Sequence, residues 1–251
     1  MGLDVRREAP VGGRPHHQDP HPPPSLRLCL LGGFQLAVDY GVVDVPTSVQ
    51  RVVSFLALHD RPLQRAFVAG TCWPAASEKR ALASLRSVLW RLHRLGLTLV
   101  NASTDHVWLD VQVEVDYREA TAVARVVLES SGALDPEELK LLQLGETLLP
   151  DRFEDWAVTE RERLMQLRLH ALERLSERLV AAGMYAEAVE AALAAVAAEP
   201  LRESAHRALI GVYLAEGNTI SAHRQYEVCR RLLADELQVA PSRLMQELMS
   251  D

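Results

Sequence analysis

The stretch EKRALASLRSVLWRLHRLG, residues 78–96, reads as one amphipathic helix with its cations turned outward. At about 100° per residue, Leu82, Leu85, Leu89, Leu92 and Leu95 fall on one side. Arg80, Ser87, Arg91 and Arg94 fall roughly opposite, and Arg86 and Trp90 flank that face. Lys79, Arg80, Arg86, Arg91 and Arg94 stand against a single acid, Glu78, in a chain of formal net charge −7. A charged face of this kind is ordinarily just solvated, so the neighbouring segments decide what it is.

Upstream, LRLCLLGGFQLAV (26–38) is β-like and broken at Gly32-Gly33, where a turn is expected. GVVDVP (41–46) adds a short strand that Pro46 stops. Thr47 then reads as the N-cap of a helix over SVQRVVSFLALH (48–59), with Val49, Val52, Val53 and Leu56 at helical spacing. RPLQRAFVAGTCWP (61–74) reads as a second, short helix that Pro74 ends, and Ser77 is placed to cap the third. Downstream, LTLV (97–100) and HVWLDV (106–111) flank NASTD, a hairpin pattern.

Strands, three helices and a closing hairpin make the order of a winged helix-turn-helix. In that fold the third helix enters the major groove and the hairpin is the wing. Arginines there either fork onto guanine edges or neutralise phosphates. Ser87 is small enough to permit close approach and can bond a base or a phosphate. Trp90 has two readings, packing on a neighbouring element or contact with DNA. Trp73, Trp108 and Trp156 read as core or interdomain packing.

Charge divides the chain. Residues 25–115 hold nine Lys/Arg and seven Asp/Glu, a balance of +2, whereas residues 116–251 carry −9. Such asymmetry points to different partners for the two parts. The acidic part is expected to face away from a DNA duplex.

Residues 116–251 read almost wholly as helix. Asp135-Pro136-Glu137-Glu138 is a helix start, and residues 155–183 form a long amphipathic helix that Gly183 ends. At an offset of 34, Leu175 matches Leu209, Ala181 matches Ala215, Gly183 matches Gly217 and Ala188 matches Ala222, with Pro200 closing the first copy. That period, with Gly at the turn and Pro at the end, is the pattern of a tetratricopeptide-like repeat. Ala188 and Ala195 let paired helices approach closely.

LRLCLLGGFQLAV (26–38), LASLRSVLWRLHRL (82–95), the run Asp155–Val189, EPLRESAHRALIGVYLAEGN (199–218) and QYEVCRRLLADELQVAPS (225–242) together resemble the SARP (AfsR-like) transcriptional activators of actinobacteria. The last two are the more diagnostic. The resemblance implies a mostly α fold with a small β part: a winged helix-turn-helix followed by a helical, tetratricopeptide-like bacterial transcriptional activator domain. It also implies binding to direct repeats in double-stranded DNA near promoters, by side-by-side protomers that form a homodimer on DNA, and recruitment of RNA polymerase holoenzyme. By motif match, Arg86, Trp90, Arg91 and Arg94 fall in the recognition helix. The wing departs from the pattern, since NASTDH lacks Lys and Arg and carries Asp105. That favours the alternative of a protein-interaction scaffold whose winged helix no longer binds DNA.

Other chemistry finds little footing. The expected divisions are a Pro/His-rich tail over 1–24, a DNA-binding domain over 25–115 and an activator domain over 116–251. His16, His17 and His21 in the tail have no further ligands near them in sequence, so no metal or other cofactor is expected. Cys29, Cys72 and Cys229 make no CxxC and read as reduced thiols of a cytoplasmic protein. His170, His206 and His223 read as packing or surface residues, and Glu160 and Glu162 as members of a solvated, charge-alternating helix face. No P-loop, nucleophile elbow, HExxH or dinucleotide fingerprint occurs, so an enzyme is not expected. No apolar run reaches the roughly 18 residues of a membrane span, and 1–24 lacks the apolar core of a secretory signal.

Overall fold

The computed structural model describes residues 25–39, 41–130 and 145–249. The Pro/His-rich tail with its three histidines, and the helix start at Asp135-Pro136, lie outside the described residues. The fold is mostly helical with a small β part, a winged helix-turn-helix followed by tetratricopeptide-like helices.

Strand β1 (Leu26–Cys29) buries Leu26 and Leu28 and exposes Arg27, the period of two that a half-buried strand requires. It pairs antiparallel with β2 (Gln35–Val38), and β2 pairs with β3 (Gly41–Val42). A fourth strand, β7 (Val113–Val115), joins the other edge of β1 in parallel. The sequence pattern does not separate β7 from the hairpin before it. Two of its three residues are buried, and its partner lies 87 residues upstream.

Helix α1 (Thr47–Ala57) buries Val49, Val52, Val53 and Leu56, as their spacing predicts. Its cap differs from expectation. Pro46 occupies the N-cap position and no side chain caps the helix; the Pro46 carbonyl accepts from the amides of Val49 and Gln50. Proline's fixed φ supplies the entry geometry, so Thr47 becomes the first helical residue. Strand β4 (Leu63–Gln64) precedes α2 (Arg65–Cys72), so the second helix is shorter than the segment suggested. Ser77 does sit at the N-cap of α3 (Glu78–Arg94), but its side chain makes no capping bond. The wing is β5 (Val100–Ala102) against β6 (His106–Leu109), and β4 pairs with the far side of β6.

In the second half, α4 (Asp116–Glu129) leads to α5 (Asp155–Ala181), α6 (Tyr185–Ala198), α7 (Glu203–Glu216), α8 (Thr219–Leu237) and α9 (Arg243–Leu248). Leu175 and Leu209 are buried at equivalent places, as are Ala188 and Ala222. Ala181 and Ala215 are exposed, so this match carries no packing. Gly183 and Gly217 take φ of +73° and +84°, the left-handed turn that ends a helix and that side chains resist.

The two halves share packing. The core under the first sheet takes in Leu148 and Leu149, with Trp156 and Leu164 packed against it. The Trp156 ring meets Phe55 of α1 edge-on, centroids 5.4 Å apart. Residues 147–149 lie along the end of β1: Gly32 N donates to Thr147 O and Leu149 N to Leu30 O. Arg161 donates to the carbonyls of Leu148, Leu149 and Arg152, while Glu160 accepts from the Tyr117 hydroxyl at 3.1 Å. The reading of this helix face as merely solvated is therefore corrected. A planar guanidinium with several donors can close a turn that has surplus carbonyls.

Candidate nucleic-acid interface

Helix α3 turns Ala81, Leu85, Val88 and Leu92 inward, with Leu82 and Leu89 half-buried beside them. Leu95, expected on that stripe, is exposed because it stands at the C-cap. The opposite face carries Arg80, Arg86, Ser87, Trp90, Arg91 and Arg94, all exposed, together with Lys79. The structure thus brings every residue expected on the third helix's outer side onto one continuous surface. Among the described residues no carboxylate pairs with a cation of this helix. Five unneutralised cations along one side make an electrostatic footprint suited to a polyanion.

Local contacts set what each side chain can do. Ser87 Oγ donates to the Ala83 carbonyl one turn back, at 3.0 Å, so its lone pairs face outward as acceptors. The Arg91 guanidinium donates to Ser48 Oγ at the start of α1, at 3.4 Å. Trp90 is 58% exposed, and the Arg94 guanidinium carbon sits 4.9 Å from its ring centroid. Trp73, by contrast, packs against the first core, and Trp108 is half-buried on the wing strand.

The wing stands beside this helix. Its turn is closed by Ser103 N donating to His106 O and by His106 N donating to Ser103 Oγ. Asn101 Nδ2 donates to Asp110 across its base at 2.7 Å. The wing tip NASTDH holds no Lys or Arg of its own, but the fold brings one to it. Arg65, first residue of α2, donates its amide to Asp105 O and its guanidinium to Thr104 O. Arg65 and Arg86 line opposite parts of a crevice of about 470 Å³ between α2, α3 and the wing tip. In sequence Arg65 looks like a solvated cation at a helix start; its contact partner lies 39 residues later.

Among the described residues no three His, Cys, Asp or Glu side chains gather as a metal site. Burial pushes the Cys72 thiol up to about 12 and the Cys229 thiol up to about 11, so neither is a ready thiolate. His206 is fully buried, its Nε2 paired with Pro200 O and its Nδ1 with the Gln225 side chain, while His170 Nδ1 meets Gln166 O. Among the described residues no helix is long and apolar enough to cross a membrane.

Residues 141–251 match the family model of the bacterial transcriptional activator domain. The regulatory protein AfsR of Streptomyces coelicolor is 41% identical over 93 residues, 37% of this chain and 9% of that protein. Its counterpart in Streptomyces griseus is 32% identical over 188 residues, 70% of this chain and 19% of that protein. The chain belongs to the SARP, AfsR-like regulators. This SARP chain thus spans under a fifth of the length of the curated relatives it matches. Its fold is that of Mycobacterium tuberculosis EmbR, solved in complex with a low affinity phosphopeptide, with a TM-score of 0.70 at 20% identity over 90% of this chain and 64% of that one. The SARP family is one of transcriptional regulators and not of enzymes.

Proposed function

We propose that this SARP chain is a DNA-binding transcriptional activator. Residues 25–115 bind double-stranded DNA, and residues 116–251 support protomer pairing and contacts to other proteins. Arg80, Arg86, Ser87, Trp90, Arg91 and Arg94 face the major groove, and Arg65 carries the cation the wing lacks. The protomers sit side by side on direct repeats near promoters and recruit RNA polymerase holoenzyme. The activator half, with its charge of −9, faces away from the duplex. The observation that supports this reading is the α3 face, where five cations stand unpaired with any carboxylate among the described residues. A solvated helix on an acidic protein gains nothing from such an excess, whereas a phosphate-binding helix requires it.

The wing tip favours one other reading. Asp105 stands where phosphate would approach, as it would in a scaffold that has abandoned DNA. Fluorescence-anisotropy titration of fragments from the gene's own promoter neighbourhood separates the two. Saturable binding that weakens with salt, and is lost in a folded Arg91→Ala/Arg94→Ala variant, supports the activator. No binding, or equal binding by the variant, sinks it in favour of the scaffold.

A further inference from the structure

We propose that the crevice where α1, α4 and α5 meet is a binding site for a small organic phosphate, with its phosphate group held by Arg125 and Arg163. The crevice measures about 660 Å³, within the range of small-ligand sites. It lies away from α3 and from the wing, so the proposal does not rest on DNA binding.

The charges decide the ligand. Arg118 lines the crevice but is already committed: it donates to the carbonyls of Ala57 and His59 at the end of α1, and lies 3.3 Å from Asp60. That contact also neutralises Asp60, the one carboxylate among the crevice's lining residues. Two guanidiniums remain for a ligand, one of them shared with Glu160. Arg125 pairs with no carboxylate among the described residues. Arg163, whose side chain is 72% exposed, has Glu160 at 3.5 Å, and Glu160 also accepts from Tyr117. Two forked cations facing one concavity suit a dianion such as a phosphate ester better than a single carboxylate.

The walls argue against a bare ion. Leu58, Leu164 and Leu167 supply apolar surface on the same crevice, fit for the body of an organic molecule. Thr121 Oγ1 donates to Tyr117 O at 2.7 Å, which leaves its lone pairs to accept from a ligand hydroxyl. Because the lining comes from the end of α1 and from α4 and α5, an occupant touches both halves of the chain and stiffens their junction.

Isothermal titration of the full chain with ribose 5-phosphate and with AMP tests this, with ribose and adenosine as controls. The expected result is saturable binding of at least one phosphate and none of its unphosphorylated counterpart. Affinity should fall at least tenfold in Arg125→Ala/Arg163→Ala and stay unchanged in Arg91→Ala/Arg94→Ala. If the double alanine variant fails to fold, Arg125→Gln alone carries the comparison. No saturable binding of either phosphate, undiminished binding by the crevice variants, or an equal loss in the α3 variant each overturns the proposal.

Discussion

Arg51 on α1 donates from Nε to the Glu154 carboxylate at 2.8 Å, across 103 residues of sequence, and so ties the winged-helix half to the residue that opens α5. Arg152 adds a second cation to the same carboxylate at 3.6 Å and reaches Gln50 Oε1 at 3.1 Å. Burial pushes the Glu154 carboxyl up. Its own backbone amide, the Arg51 hydrogen bond and the two arginine charges outweigh that and hold it below the usual carboxylate range. A carboxylate lowered by folding contributes stability that is present at neutral pH and lost as pH falls through its folded value. Glu154→Gln should therefore cost about 1–3 kcal/mol at pH 7. In denaturant melts across pH, the gap to wild type should close below the ordinary glutamate range of about 4.3. A gap that stays constant down to acid would show that the charge is not what holds the two halves.

Trp90 tests function apart from stability. With most of its ring in solvent and Arg94 above it, Trp90→Ala removes little buried surface. Its melting temperature should stay close to wild type, since exposed cation–π pairs contribute about 0.5–1 kcal/mol. DNA affinity should fall several-fold in the same variant. A large drop in stability would instead mean that the ring packs.

The candidate interface was largely legible in the sequence, because its face follows the 3.6-residue period and α3 has no buried polar group to disturb the pattern. The repeat was legible for a similar reason: Gly183 and Gly217 mark turns that require positive φ, and both turns are local. What escaped was non-local. Arg161 sits among Glu160, Glu162 and Arg163 and reads as one of an exposed set, yet it serves three backbone carbonyls that no side-chain pattern advertises. Leu149 holds a φ of +44°, unusual for leucine and invisible in its identity. Arg65 reaches the wing only because β4 places it there.

The Arg161 contacts lead to a stability prediction. Arg161→Ala leaves the carbonyls of Leu148 and Arg152 without this donor, while Leu149 O keeps the Arg152 amide, beside a residue already in the left-handed region. Each buried acceptor left unsatisfied costs about 1–3 kcal/mol, partly recovered by water. A loss of about 2–4 kcal/mol in chemical denaturation is expected. A loss under about 0.5 kcal/mol, the range of ordinary surface changes, would show that the turn stands without it.

Gly183 and Gly217 provide a backbone test that touches no contact. A Cβ built on either meets nothing within 4 Å, so alanine there adds only the strain of positive φ. Gly183→Ala and Gly217→Ala should each cost about 1 kcal/mol, measured as a shift of the denaturation midpoint at unchanged slope. Alanine that stabilises at either site would mean that the turn is not left-handed in solution.

The salt dependence of DNA binding separates Arg65 from a bystander. If Arg65 meets a phosphate beside the wing, Arg65→Ala should lower the slope of log K against log salt by about 0.9 and weaken binding to every sequence alike. The Thr104 contact is a single 3.3 Å bond on a half-exposed side chain, so the fold should persist and a melting curve can verify it. Arg86, across the same crevice, gives the comparison: a guanidinium that reads a base loses discrimination at one position, whereas a phosphate contact loses affinity uniformly. An Arg65→Ala slope equal to wild type would leave the wing without a cation at the duplex and place the whole electrostatic contribution on α3.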